Sequence, residues 1–252
     1  MILEKFKLDG RVALVTGCNR GLGAALALAM AEAGADVAGV YNSTAQGVQK
    51  DIQALGRTFL GIQADLGQPS VAEGIVEQVV QKLGTVDILI NNAGIIRRND
   101  ALDFTESDWD DVMNVNLRGL FFLTQAAAKR MVAQGRGKII HVASMLSYQG
   151  GIRVSSYTAS KSGVLGLTRI MANEWAAKGV NVNAIAPGYM VTDNTAALRA
   201  DEARNRQILE RIPAGRWGEP EDLKGCAVFL ASSASDYLHG FTIAVDGGWL
   251  AR

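Results

Sequence analysis

Short apolar runs alternate with longer helix-compatible stretches along the whole of this 252-residue chain, and that alternation leaves few folds open. The runs are RVALVT (11–16), ADVAGVY (35–41), TFLGIQ (58–63), VDILIN (86–91), GKIIHVAS (137–144), VNVNAIAP (180–187) and FTIAVD (241–246). Their apolar residues are too continuous for strands with one wet face. The Ala-, Leu- and Gln-rich stretches between them, such as 22–33, 71–83, 109–133, 156–178 and 219–231, are long enough for crossover helices. Strands buried on both faces and joined through helices predict an α/β fold. It is a doubly wound, parallel, seven-stranded sheet of the Rossmann-like kind, with helices on both faces. No linker or low-complexity stretch divides the chain, so residues 1–252 are read as one domain. Residues 188–218 stand apart as polar and punctuated by Gly and Pro. Open α/β sheets bind ligands outside the carboxyl ends of their strands, so an insertion there predicts a lid.

Charge narrows the partners. Lys plus Arg and Asp plus Glu number 25 each, with no basic run, which predicts no nucleic-acid partner and no anionic membrane surface. No apolar run reaches the roughly 18 residues of a spanning helix. The opening MILEKFKLDGRVALVTG has neither the apolar core nor the cleavage site of a signal peptide, so a cytoplasmic protein is expected. Cys18 and Cys226 lie far apart and read as free thiols. No set of His, Cys and carboxylates has metal-ligand spacing, and no metal is expected.

The first run closes on Thr16-Gly17-Cys18-Asn19-Arg20-Gly21-Leu22-Gly23 and passes into an Ala/Leu helix. Glycines at G-x-x-x-G-x-G let the backbone turn sharply and approach a pyrophosphate at the helix N-terminus, where free N–H groups and the dipole favour negative charge. Turns use glycine anyway, so the cluster alone is weak. Its strand–turn–helix setting points to a dinucleotide.

A second group lies downstream. Ser144, Tyr157 and Lys161 form S-x12-Y-x3-K, with Asn116 upstream in NVNLRG. A Tyr and a Lys four apart share one helical face, here continued by Val164, Thr168, Met171 and Trp175. An unperturbed tyrosine titrates near pH ~10, too high for acid–base work at neutrality, and a neighbouring lysine cation would lower it. Ser144, ending the fifth run, can hold a carbonyl or alcohol oxygen. Y-x3-K alone is common by chance. Asn116 alone could be any polar helix residue, yet Val112, Met113, Leu117, Leu120 and Phe121 surround it, where an unpartnered amide would be costly. His141, inside an apolar run, reads as a satisfied core residue, His239 as a turn residue and Glu174 as a surface charge.

In this order, the turn and the S–Y–K group resemble the short-chain dehydrogenase/reductases. Asp65 in QADL, the segment Asn91-Asn92-Ala93-Gly94, and Pro187-Gly188 followed by Thr192 extend the likeness over essentially the whole chain. The resemblance implies a dinucleotide-binding and catalytic domain that takes a nicotinamide cofactor. Gly17, Asn19, Arg20, Gly21, Leu22, Gly23 and Asn42 would surround its adenosine and pyrophosphate. Asp65 and Leu66 would meet the adenine, Asn91, Ala93 and Gly94 the adenine ribose, and Pro187, Gly188 and Thr192 the nicotinamide end. It makes Tyr157 the acid/base and gives Lys161 the nicotinamide ribose and the tuning of Tyr157. Ser144 positions the substrate oxygen, and Asn116 orders a water in a proton relay with Lys161. A homotetramer is also implied.

AGIIRRNDALDF, SMLSYQGGIRVSSYTASKSG and RIPAGRWGEPEDL resemble family members that act on keto-deoxy sugar acids. Hydride transfer on such a small-molecule substrate is therefore the expected activity. Arg98 or Arg153 would meet its carboxylate, since a forked guanidinium suits one. Met145, Gln149, Tyr189 and Asn194 would line the pocket. An acid closing the second run would favour NAD, and Val40-Tyr41-Asn42-Ser43 has none, while Arg20 could meet a phosphate. Site chemistry thus leans to NADP and the resemblance to NAD; NAD is the expectation and NADP the alternative. Two other readings compete. One is a 3-oxoacyl-carrier-protein reductase or gluconate 5-dehydrogenase-like reductase. The other is a non-catalytic dinucleotide-binding scaffold, whose expected mark is loss of Ser144, Tyr157 or Lys161.

Overall fold

A computed structural model describes residues 1–44 and 46–252. Seven strands, β1 (Val12–Thr16), β2 (Asp36–Tyr41), β3 (Phe59–Gln63), β4 (Ile88–Asn91), β5 (Gly137–Val142), β6 (Val180–Pro187) and β7 (Thr242–Val245), form one sheet in the order β3-β2-β1-β4-β5-β6-β7. Every pairing is parallel. Strands β1, β4 and β6 are buried along their whole length, whereas β3 and β7 are only partly buried, as edges should be. The strand order reverses between β1 and β4, and a crevice opens where neighbouring connections leave in opposite directions.

Alternation along each strand feeds two cores. Ala13, Val15, Val37, Ile88, Ile90 and Ile140 face one layer, with Leu26 and Met30 of α1 (Gly21–Glu32). Leu14, Ala38, Leu89, Ile139 and Val182 face the other, with Ile75 and Val79 of the α3 helix (Val71–Leu83). Between them in sequence, α2 spans Gln46–Ala54.

The stretch expected as one helix over 109–133 is interrupted. Helix α4 (Glu106–Met113) starts earlier, at a Thr105 cap that accepts from the Asp108 N–H at 3.1 Å. The backbone widens into a π turn at Asn114–Gly119 and then resumes as α5 (Leu120–Ala133). A Cβ on Gly119 would overlap the Leu66 carbonyl oxygen, so the wide turn and its glycine let the helix lie against the β3–α3 connection. Helix α6 (Ser155–Trp175) buries Lys161, Val164, Thr168 and Met171.

Residues 188–218 contain two helices, α7 (Ala196–Ala200) and α8 (Glu202–Arg211), rather than loop alone. Ile208, Ile212 and Trp217 from this segment pack with Met145 and with Trp249 near the chain end. The stretch expected over 219–231 is helical as α9 (Lys224–Ala231) after a 3-10 turn at Pro220–Leu223. Among the described residues no helix is long and apolar enough to cross a membrane, and no cluster of His, Cys and carboxylates could hold a metal ion.

Candidate active site

The carboxyl ends of β1, β2, β4, β5 and β6 border a cleft of about 690 Å³. That is ample for a cofactor-sized ligand. The glycine turn forms one wall. Gly17 and Gly21 have φ of 65° and 52°, backbone that L side chains rarely adopt, and a Cβ on Gly23 would overlap the Gly17 carbonyl oxygen. Arg20, at the N-cap of α1, makes no side-chain capping bond. The first-turn N–H groups of α1 are thus left for an anion, and the turn fits a pyrophosphate.

Gly17, Asn19, Arg20, Gly21, Leu22, Gly23, Asn42, Asp65, Leu66, Ala93, Gly94, Pro187, Gly188 and Thr192 all line this cleft. Asn91 does not. Its side chain is turned into the core, where Nδ2 donates to Thr124 Oγ1 at 2.9 Å and lies 3.1 Å from His141 Nδ1. The neighbouring Asn92 does face the cleft, and its Nδ2 donates to the carbonyls of Thr16 and Gly17 at 3.0 and 3.3 Å, pinning the turn. Sequence reasoning passed over Asn92, although strand alternation marks it: Ile88 and Ile90 face the α1 layer, and Asn92 continues that side. At the mouth, Arg20 pairs with Asp193 of the 188–218 segment at 3.1 Å, with both side chains exposed. A phosphate reaching Arg20 must share it with this carboxylate. No carboxylate stands on Tyr41, Asn42 or Ser43 at the end of β2, all of which line the cleft.

Ser144, Tyr157 and Lys161 lie together on the floor of the same cleft. Lys161 is 3% exposed, its Nζ donates to the Val142 carbonyl at 2.6 Å, and it sits 5.8 Å from the Tyr157 ring centroid. Burial lowers its pKa to about 8. Tyr157 is pushed up by burial, while the Ser144 hydroxyl and the charge of Arg98 pull it down. Lys161, expected together with the nicotinamide ring to lower Tyr157, donates to a carbonyl, and the serine and Arg98 also pull the tyrosine down.

Asn116 lies beneath the cleft, fully buried in the π turn. Its Oδ1 accepts from the Ile95 N–H at 2.8 Å and its Nδ2 donates to the Ile95 carbonyl at 2.9 Å. Both polar atoms thus hold the backbone just after Gly94, and Nδ2 also donates to Ser160 Oγ at 3.4 Å. His141, expected to be a satisfied core residue, is fully buried but only half satisfied: Nδ1 meets Asn91, and Nε2 has no partner.

The substrate candidates divide. Asn194 lines the cleft, and its carbonyl accepts from Arg98 Nη2 at 3.1 Å; Arg98 itself does not line the cleft, although its charge reaches Tyr157, whereas Arg97 does line it. Arg153 is turned outward, 59% exposed, paired with Asp100 at 3.4 Å and held at a φ of 62°. Arg97 pairs with Asp111 at 2.9 Å. Met145 is buried against Trp217 and Trp249. Tyr189 stacks edge-on against the same two rings, with centroids 5.4 and 4.7 Å away. Gln149 Oε1 accepts from Trp249 Nε1 at 3.1 Å and Arg211 Nη2 at 3.0 Å.

Known proteins share this sequence pattern and fold. A family profile described as enoyl-(acyl carrier protein) reductase matches residues 17–250. The 2-dehydro-3-deoxy-D-gluconate 5-dehydrogenase of Escherichia coli (strain K12) is 61% identical over the full length of both chains. A crystal structure from Agrobacterium tumefaciens with bound NADP, proposed to be a 2-deoxy-D-gluconate 3-dehydrogenase, is 56% identical. It superposes with a TM-score of 0.94 over 98% of this chain and 99% of its own. A gluconate 5-dehydrogenase from Burkholderia cenocepacia J2315, in complex with NADP and tartrate, is 38% identical with a TM-score of 0.96 over all of both chains.

Proposed function

The chain belongs to the short-chain dehydrogenase/reductase family, and on that premise we propose that it moves a hydride between NAD(P) and a keto-deoxy sugar acid. The reaction is that of its 2-dehydro-3-deoxy-D-gluconate 5-dehydrogenase relatives, oxidation of the 5-hydroxyl or the reverse reduction. The observation that carries this reading is the meeting of Ser144, Tyr157 and Lys161 on the floor of a cleft walled by the glycine turn.

When bound, the nicotinamide accepts or supplies the hydride. The chain's own groups handle the proton. In the oxidising direction Tyr157 takes the hydroxyl proton on its phenolate oxygen, and in the reducing direction it returns that proton to the carbonyl oxygen. Ser144 holds the same oxygen by hydrogen bonding. Lys161 keeps donors free beside its bond to Val142 and offers them to the nicotinamide ribose. The side chain of Asn116 holds Ile95 in place, so a water relay to Lys161 would run through its main-chain carbonyl, within the π turn. Arg98 binds the substrate carboxylate, in preference to the outward, Asp100-paired Arg153. The residues of 188–218 act as the lid, with Asn194 joining Arg98. Met145, Tyr189 and Gln149 build the wall behind it, tied to Trp249.

Residues 1–252 act as one domain. The protein works in the cytoplasm, as a homotetramer whose contacts use the apolar groove of Met113, Leu117, Phe121, Phe122 and Leu167. Either nucleotide fits: NAD remains the expected partner, and no carboxylate at the end of β2 repels NADP. The test is absorbance at 340 nm with each nucleotide paired in turn with a keto-deoxy sugar acid, gluconate and an acetoacetyl thioester. Turnover should be highest with the keto-deoxy sugar acid. A clear preference for the thioester would overturn the substrate reading.

A further inference from the structure

Ser144 stands two residues beyond the end of β5, just past Ala143, whose N–H still donates to the Ile185 carbonyl of β6 at 2.8 Å. Lys161 stands on α6. The two are brought into register by a third residue. Ser147 Oγ donates its single proton to the Lys161 main-chain carbonyl at 2.7 Å. Toward Ser144 it can therefore only accept, and it does so from the Ser144 N–H at 3.3 Å. Ser144 Oγ in turn accepts from the Leu146 N–H at 3.1 Å, closing a reciprocal cap over the turn Met145–Ser147. With that lone pair occupied, the hydroxyl proton of Ser144 is left to point at the oxygen on which Tyr157 works. Ser147 itself does not line the cleft.

We infer that Ser147 is a positioning residue, which locks the Ser144 hydroxyl and the Lys161 turn of α6 into the geometry that proton transfer at Tyr157 requires. This rests on the reading of Tyr157 as the acid/base. Ser147 lies outside the cleft lining, so its loss acts through Ser144 and Lys161. Three groups besides the Ser144 hydroxyl bear on the charge at Tyr157 and Lys161. They are Lys161 on the same helix, Arg98 from the connection after β4, and His141 of β5, whose pKa feels the charge of Lys161. A change at Ser147 removes none of these groups and acts only through the hold on the Ser144 turn and the Lys161 carbonyl, so a shift in the pH profile reports that positioning.

The experiment measures kcat, KM, dinucleotide Kd and the pH profile of alcohol oxidation for Ser147→Ala, Ser147→Cys and Ser147→Thr, with Tyr157→Phe alongside. Ser147→Ala should lower kcat about tenfold, the size of one lost positioning hydrogen bond, and leave dinucleotide Kd unchanged. The midpoint of the oxidation profile should move to higher pH, because a slack Ser144 no longer favours the phenolate. Ser147→Thr, which keeps the oxygen, should recover most of kcat. Should the alanine variant not fold, Ser147→Cys keeps the volume and weakens both bonds, and the same losses are expected of it. A kcat within twofold of wild type in the alanine or cysteine variant overturns the inference. So do equal losses of kcat and dinucleotide affinity, or a threonine variant no better than alanine. If Tyr157→Phe itself keeps turnover, the reading beneath it falls instead.

Discussion

Tyr157 is held between opposing influences: burial disfavours its phenolate, and the Ser144 hydroxyl and the Arg98 charge favour it. Removing only the ionisable oxygen separates chemistry from packing. Tyr157→Phe should leave dinucleotide binding intact and lower kcat by ~10²–10⁴-fold, the usual contribution of general acid–base catalysis. Turnover within about threefold of wild type would show that the proton goes elsewhere. Arg98 is a positive neighbour of Tyr157 and, in the proposed function, also the ligand of the substrate carboxylate. Arg98→Met should raise KM for a keto-deoxy sugar acid about ten- to hundredfold, the worth of a charged hydrogen bond of roughly 1.5–3 kcal/mol. Arg153→Met should change KM little, because its guanidinium is already turned to Asp100. Comparable KM effects at both positions would contradict the assignment of the carboxylate to Arg98.

At the scale of elements, the sequence displayed the sheet through continuous apolar runs, and all seven appear as strands within a residue or two of their expected limits. The glycine turn was legible for a related reason, since its spacing states a backbone requirement directly. The π turn at Asn114–Gly119 was not legible. Val112, Leu117, Leu120 and Phe121 keep helical spacing through it, and the close approach of the distant Leu66 carbonyl to Gly119 leaves no mark in the sequence. The helices of 188–218 were hidden by polar sequence, because much of their stability comes from Ile208, Ile212 and Trp217 docking on Met145 and Trp249. Asn91 was placed in the cleft by its motif alone, whereas alternation along β4 sends its side chain to Thr124. The turn yields a sharp test. Ala at position 23 would drive its Cβ into the Gly17 carbonyl and to 2.5 Å from Asn92 Nδ2. Gly23→Ala should therefore weaken dinucleotide binding by at least about tenfold, that is ~1.4 kcal/mol or more, measured by titration of protein fluorescence. Unchanged affinity would mean that the turn does not hold the pyrophosphate.

For the whole molecule, two buried ionisable groups, His141 and Lys161, bear on how stability responds to pH. His141 is fully buried, and desolvation, helped by the charge of Lys161, brings its pKa down from 6.5 to about 3. Its Nδ1 faces an amide donor from Asn91, so the neutral ring carries its hydrogen on Nε2. The unfolded chain binds a proton below pH 6.5 that the native chain refuses until about pH 3. Stability from this group is thus complete above about 6.5 and falls as the pH drops, by about 1.4 kcal/mol per unit. Lys161 works on the alkaline side. Its pKa falls from 10.5 to about 8 on folding, so stability rises between those values as the native form sheds its proton first. Below pH 8 the native state carries the full desolvation penalty of the buried cation, about 3 kcal/mol. Active function is then bought with stability at neutrality. Lys161→Met should raise Tm at pH 7 while abolishing turnover, and it should erase the extra stability gained from pH 8 to 10.5. Because part of the His141 shift comes from that cation, the same variant should raise the native His141 pKa and soften the acid limb. His141→Gln would soften that limb alone. Thermal melts of both single variants and of the double variant, from pH 4 to 10.5, decide the matter. A Tm for Lys161→Met at or below wild type at pH 7 would mean that the cation is compensated where it lies, and strictly additive acid limbs would mean that the two residues do not feel each other.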